Sequence, residues 1–316
     1  MKNEIQERDV VIIGGGVSGS TLGVYLARAG YKPMIITGGM IGGILNEIPM
    51  IDNYIGIPNI SGEEISENLL TQLTQCGLGN RDIVEFNDVI EVSKCFGGKM
   101  FEVLYKNNSS INKVLTRNVV IATGSKMNKL DSIGKDVQKH CVLCDGFMYK
   151  DGDVVVIGGG NSAYSEALEL SKICKSVTII QRRKEPRAES VLVDAFNKKE
   201  NTKVIIGNVH SYNAESKELV VGQESGLTSL VSDGVFVYIG SSPNTGFLGD
   251  DILLTKNGNI IVDNNNIVTT DSNLNGKLGL YSVGDVTNSD YKQISTAIGD
   301  ATKVAIQIIN KLKLDK

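Results

Sequence analysis

Apolar residues in this chain come in short runs set off by glycine, and one order of runs occurs twice. The first run, 9–13 (Asp-Val-Val-Ile-Ile), predicts a buried strand that enters the turn Gly14-Gly15-Gly16-Val17-Ser18-Gly19. Positions 21–29 then read as a helix stopped by Gly30, and 33–37 as the next strand. The same grammar returns as a strand at 153–157, the turn Gly158-Gly159-Gly160-Asn161-Ser162-Ala163, a helix at 164–175 and a strand at 176–181. Between the repeats, 101–105 and 111–115 predict a hairpin around Asn107-Asn108-Ser109-Ser110, and 118–124 a buried strand. Near the end, a strand at 279–283 is closed by Gly284-Asp285. A helix over 293–311 follows, with Ile294, Ala297, Ala301, Val304, Ala305 and Ile308 on one face.

Two strand–turn–helix–strand units predict an α/β fold: two doubly wound, Rossmann-like dinucleotide-binding domains, the second inserted into the first. The stretch Gly240-Ser241-Ser242-Pro243-Asn244-Thr245 reads as the return junction. The expected division is therefore 1–117 with 246–316, interrupted by 118–245. A length of 316 residues accommodates about two domains. The net charge of -4 argues against a nucleic-acid partner, which needs a basic face. No apolar run approaches the ~20 residues of a membrane span. The charged start of the chain leads straight into a strand rather than a signal peptide, so a cytoplasmic protein is expected.

The first turn fits G-x-G-x-x-G with Gly14, Gly16 and Gly19. These would permit the tight turn, let pyrophosphate approach the backbone, and let helix and strand pack. The acidic residue that commonly binds a ribose some 20 residues on is missing, because the second strand ends at Thr37. The loop Thr37-Gly38-Gly39-Met40-Ile41-Gly42-Gly43 follows instead, small enough for a cofactor to pass close to backbone. The second turn, Gly158-x-Gly160-x-x-Ala163, ends in the permitted alanine. After its second strand comes Gln181-Arg182-Arg183-Lys184-Glu185-Pro186-Arg187. Guanidinium groups there suit a 2′-phosphate, and so NADPH over NADH.

Of the 5 cysteines, Cys76, Cys95 and Cys174 are isolated, whereas Cys141-Val142-Leu143-Cys144 forms a C-x-x-C. Cys174 falls at helical spacing with Ala163, Ala167 and Leu170, which predicts a core thiol. A structural zinc site needs a second ligand pair, and the chain has no other C-x-x-C and only 2 histidines, His140 and His210. No metal is expected. A redox pair needs only a thiolate and a proton donor, and Asp145 adjoins Cys144.

On these segments the chain resembles the low-molecular-weight thioredoxin reductase family over nearly its whole length. Also matching are Ile121-Ala122-Thr123-Gly124, Cys141 to Phe147, Arg182-Arg183 with Arg187-Ala188, Ser242-Pro243-Asn244-Thr245, Gly284-Asp285-Val286 and Tyr291-Lys292-Gln293. The resemblance implies a homodimeric FAD flavoprotein whose inserted NADPH domain carries the dithiol and rotates between two orientations. It implies FAD contacts at Gly14, Gly16, Gly19, Thr37, Gly38, Gly42, Gly43, Ile44, Asn53, Ala122, Thr123, Gly124, Gly284, Asp285, Lys292, Gln293 and Ile294. NADPH contacts fall at Gly158, Gly160, Asn161, Ser162, Ala163, Arg182, Arg183 and Arg187. Cys144 would take electrons from the flavin, Cys141 would attack the partner disulfide, and Asp145 would serve as acid and base. The partner implied is thioredoxin or a similar small redox protein.

Departures from the family pattern are Val142-Leu143 for a small polar pair, Gln181 for a histidine, Pro186 within the basic stretch, Ile44 for a glutamine and Lys292 for an arginine. They leave open the same dithiol chemistry with ferredoxin or NADH as donor. A ferredoxin–NADP-type or oxygen-reducing flavin oxidoreductase is the further alternative.

Overall fold

The computed structural model describes residues 6–48, 50–51, 53–140, 142–268, 279–289 and 291–314. The chain divides into two compact units, 1–126 with 242–316, and 127–241.

In the first unit a parallel sheet runs in the order Gly279–Ser282, Asn118–Ile121, Val10–Ile13, Pro33–Ile36, Ile83–Val84. Successive strand residues point to opposite faces, and both faces of Val10–Ile13 are covered. Val10 and Ile12 pack with Leu22, Leu26, Leu73 and Val304 from the helices Val17–Arg28, Gly62–Gln75 and Ile294–Leu314. Val11 and Ile13 pack on the other face with Phe101 and Val103. Those side chains belong to a second sheet, a meander of Asp88–Cys95, Met100–Lys106 and Ile111–Thr116 with Gln6–Arg8 at its edge. Double burial is why the strand reads as an unbroken apolar run instead of an alternating one.

The second unit repeats this design. Its parallel sheet runs Gln138–Lys139, Gly234–Val237, Asp153–Ile157, Ser176–Gln181, Thr202–Ile206. Val154 and Val156 face the helix Asn161–Leu170, whereas Val155 and Ile157 pack with Val209, Leu219 and Val221 of the meander Asn208–Asn213, Glu218–Gln223, Gly226–Val231. Cys174 is buried in the former core. Burial, then Asp151 and Asp233, push its thiol up to about 11.

Both domain joints and two helices depart from the expected bounds. The strand Asn118–Ile121 pairs with both Val10–Ile13 and Gly279–Ser282, so it lies inside the first unit. The joints therefore fall at 126/127 and 241/242 rather than 117/118 and 245/246. The first helix begins already at Val17, because the glycine turn supplies its first turn. The helix expected over 164–175 runs Asn161–Leu170 and then tightens, with Lys172 and Ile173 N–H groups bonding to the carbonyls of Glu169 and Leu170.

Candidate dinucleotide cradles and dithiol turn

In each unit the glycine turn lies at the carboxyl end of a strand that has the next strand of the chain on one side and a much later one on the other, the switch point where open α/β sheets bind ligands. The backbone bonds around the two turns match one for one. Gly14 N–H donates to Ile36 O at 2.7 Å and Ala122 N–H to Ile13 O at 2.7 Å. In the second unit Gly158 N–H donates to Ile180 O at 2.9 Å and Tyr238 N–H to Ile157 O at 2.7 Å.

The glycines of each turn have separable roles. Gly14 has φ +109°, and a Cβ there would run into the Ala122 carbonyl; at Gly19 it would strike the Gly14 carbonyl. These two are demanded by the protein's own packing. At Gly16 the nearest atom to such a Cβ is Gly42 O, at 3.8 Å. The second turn behaves alike: Gly158, at φ +149°, abuts the Tyr238 carbonyl, and Ala163 is fully buried. Gly160 has nothing within 4 Å. The middle glycines thus leave room beside a helix N-terminus that protein atoms do not fill, which fits a pyrophosphate.

A loop closes over each turn. Gly42, at φ +105°, donates its N–H to Gly15 O at 2.9 Å, and Ile41 N–H is held by Glu85 Oε1 at 2.7 Å. This places the Thr37–Gly43 loop against the first cradle. In the second unit Arg187 N–H donates to Gly159 O at 2.7 Å, and Asn161 and Glu189 exchange hydrogen bonds of 2.9 and 2.8 Å. Gln181 is buried; it accepts from the Tyr164 hydroxyl at 3.0 Å and donates to Arg183 O at 2.9 Å. Arg182, Arg183 and Arg187 are exposed and make no ion pair with the described residues.

Of the C-x-x-C, Cys141 lies outside the described residues, and Cys144 is described only as backbone in the helical turn Val142–Asp145. Val142 is buried against Ala163, Ala167 and Tyr238. Asp145 is half-buried, with Lys139 Nζ 3.7 Å from its Oδ1. His140 Nδ1 sits 2.9 Å from Val237 O, and its buried Nε2 has no hydrogen-bond partner among the described residues.

Residues 8–301 match the model of the pyridine nucleotide-disulphide oxidoreductase family. This chain belongs to that family. Among curated relatives, the "34.2 kDa protein in rubredoxin operon" of Clostridium pasteurianum is 31% identical over 97% of both chains. The F component of alkyl hydroperoxide reductase from Staphylococcus aureus is 30% identical over 94% of this chain, which spans 58% of that relative. Among solved structures, Lactococcus lactis thioredoxin reductase superposes with TM-score 0.86 at 28% identity, covering 97% of this chain and 99% of that one. The T. acidophilum thioredoxin reductase gives TM-score 0.84 at 28% identity, over 98% and 99%.

In this oxidoreductase the first unit also brings together residues far apart in sequence near its cradle. Asn53 Nδ2 donates to Gln293 Oε1 at 3.0 Å. Thr123 and Asn244 hold one another, Thr123 Oγ1 donating to Asn244 O at 2.8 Å and Asn244 Nδ2 to Thr123 O at 2.9 Å. Gly284 takes φ +74° against Ser18, and burial raises the Asp285 carboxyl while Lys292 opposes the shift. Ile44 and Lys292 are exposed, and Ile294 opens the last helix.

Sequence reasoning missed Glu166, Tyr238, Tyr164 and Glu189. Glu166 had a signal: a carboxylate beside Ala163, Ala167 and Leu170 on the buried face of its helix. The others had none, because their roles depend on partners brought in by the sheet.

Proposed function

We propose that this oxidoreductase binds FAD in its first unit and NADPH in its second, and passes an electron pair through the Cys141–Cys144 disulfide to thioredoxin or a similar small redox protein. The observation that carries this reading is the pair of open middle glycines, Gly16 and Gly160, each at the switch point of its own parallel sheet. When bound, the nicotinamide and the flavin would supply hydride transfer, which no side chain here provides.

The chain's residues supply binding and proton handling. The first cradle with Thr37 to Ile44, Ala122 to Gly124 and Gly284 to Ile294 would hold FAD, and Asn53 paired to Gln293 would brace the entry of the last helix. That helix would direct its positive end toward the flavin, favouring the anionic reduced ring. The second cradle would hold the NADPH pyrophosphate, with Arg182, Arg183 and Arg187 free to bind its 2′-phosphate. Asp145 would deliver a proton to the leaving sulfur as the disulfide opens. The active form is proposed to be a homodimer.

A second reading keeps the dithiol but takes electrons from NADH or ferredoxin. It is favoured by Gln181, which is consumed by Tyr164 and Arg183 and offers no group to a phosphate. Stopped-flow mixing of the purified chain with NADPH, NADH and reduced ferredoxin separates the two by which donor bleaches the flavin. Reduction of thioredoxin by wild type but not by Cys144→Ser is expected. A colourless protein that takes up no FAD would end both readings.

A further inference from the structure

The two units are built on one plan, which fixes how residues of the two cradles correspond. The bond from Gly14 to Ile36 in the first unit repeats as Gly158 to Ile180 in the second. Thr37 and Gln181 come next, and each side chain lies on the second glycine of its turn. A Cβ on Gly15 would meet Thr37, and one on Gly159 would meet Gln181. The chain leaving the third strand is tied in at the same place in both units. Asn87 N–H donates to Thr37 O at 3.0 Å, and Gly207 N–H to Gln181 O at 2.9 Å. Gly38 therefore corresponds to Arg182, and Asp88 to Asn208.

At these matched positions the charges are opposite. In the second unit Arg182 and Asn208 border one cavity of about 530 Å³, which Glu224 also lines. In the first unit residue 38 has no side chain, and a carboxylate comes from residue 88 instead. A Cβ on Gly38 would lie 2.6 Å from Asp88 Oδ1, so this carboxylate stands in the room that a side chain at 38 would take. Gly38 does not adopt a positive φ, so its own backbone makes no demand for glycine.

Asp88 opens the strand Asp88–Cys95 and is positioned by its neighbours. Buried Asn87 donates from its amide side chain to Glu85 O at 2.8 Å, and Thr37 N–H donates to Val84 O at 2.9 Å. The nearby Glu85 carboxylate is already taken by Ile41 N–H. That of Asp88 is exposed and has no hydrogen bond or ion pair with the described residues, although Lys106 lies opposite it in the ladder.

A dinucleotide turn of this kind commonly holds the ribose through a carboxylate at the end of its second strand. No residue from 37 to 44 carries one. A carboxylate accepts hydrogen bonds from a free ribose diol, whereas a guanidinium pairs with a 2′-phosphate.

We propose that Asp88 supplies the missing acid, accepting hydrogen bonds from the adenosine ribose of FAD in the first cradle. This rests on the reading of that cradle as the FAD site. Asp88 is a specificity residue: it reads the ribose and takes no part in electron transfer. The duplicated fold gives one cradle an acid borrowed from beyond its third strand, and the other a base directly after its second.

The test titrates the full chain, freed of flavin, with three probes: FAD, FMN, and an FAD analogue whose adenosine has no 2′-hydroxyl. Flavin fluorescence reports binding, so no turnover is needed. Wild type should prefer FAD to the analogue roughly tenfold or more, the worth of a hydrogen bond to a charged group. In Asp88→Ala that preference should vanish, FAD should bind more weakly by a similar factor, and FMN, which has no adenosine, should bind as in wild type. Equal binding of FAD and the analogue by wild type would overturn the proposal, as would equal losses of FMN and FAD in Asp88→Ala. If Asp88→Ala does not fold, the wild-type comparison decides alone. A wild-type chain that binds no FAD would instead overturn the FAD reading, and this inference with it.

Discussion

The Tyr164 hydroxyl donates to Gln181 Oε1 at 3.0 Å, and both side chains are buried beneath the basic loop. The amide nitrogen of Gln181 in turn holds Arg183 O at 2.9 Å, so this pair shapes the start of the arginine stretch without touching a ligand. Gln181→Ala would leave the Tyr164 hydroxyl buried and unpaired, costing about 1–3 kcal/mol, and would loosen the loop. The expected outcome is a lower melting temperature and weaker NADPH binding. Adding Tyr164→Phe should recover stability but not affinity, as melting and nucleotide titration would reveal.

The glycines allow packing to be separated from binding. Gly16→Ala and Gly160→Ala meet no close protein atom, so the flavin-free chain should melt near the wild-type temperature. Gly16→Ala should nevertheless fail to retain FAD, and Gly160→Ala should lose nicotinamide nucleotide binding. Gly14→Ala, by contrast, must place a Cβ at φ +109° against the Ala122 carbonyl and should destabilise the fold itself. Flavin absorbance after gel filtration, compared with melting curves, checks all three.

Arg182, Arg183 and Arg187 contribute charge that the described residues do not consume. Replacing each with Gln should change stability by no more than about 0.5 kcal/mol. Each loss of a charge-assisted bond to a 2′-phosphate should lower the NADPH-over-NADH preference roughly tenfold or more. Equal losses for both nucleotides would point to a loop defect instead.

Glu166 predicts a pH dependence of stability with a definite sign. Its folded value of about 7 lies above the ordinary 4.5. The native state therefore binds the proton more tightly, and stability falls as pH rises from about 4.5 through about 7. The loss is on the order of 3 kcal/mol. In Glu166→Gln this decline should flatten, which denaturant midpoints across that range would measure. Asp153 and Asp233 work in the opposite direction. Hydrogen bonds from Ser176 and Lys175 lower the Asp153 carboxyl, and those from Lys217 and the Asp153 N–H lower Asp233, so their stability is lost as pH falls.

Both parallel sheets and both glycine turns were legible because their signals are local. A strand covered on two faces must be apolar at every position, and a turn that meets a carbonyl must be glycine. Val10–Ile13 with Gly14, and Asp153–Ile157 with Gly158, satisfy those demands within a few residues. The strand Asn118–Ile121 was recognised as a strand but assigned to the wrong unit. Its composition declares burial, while its neighbours are decided by register with Val10–Ile13 and Gly279–Ser282.

The order of apolar runs and glycine turns, taken alone, determined the duplicated architecture, since helix and strand periods and positive φ are properties of adjacent residues. Which polar side chains meet was decided only by the folded chain. Asn53 with Gln293, Thr123 with Asn244 and Glu166 with Tyr238 are remote in sequence, and each pair exists because the sheets close the distance between them. A hydrogen bond or a buried charge depends on position in space to a fraction of an ångström, and no local pattern of residues encodes that.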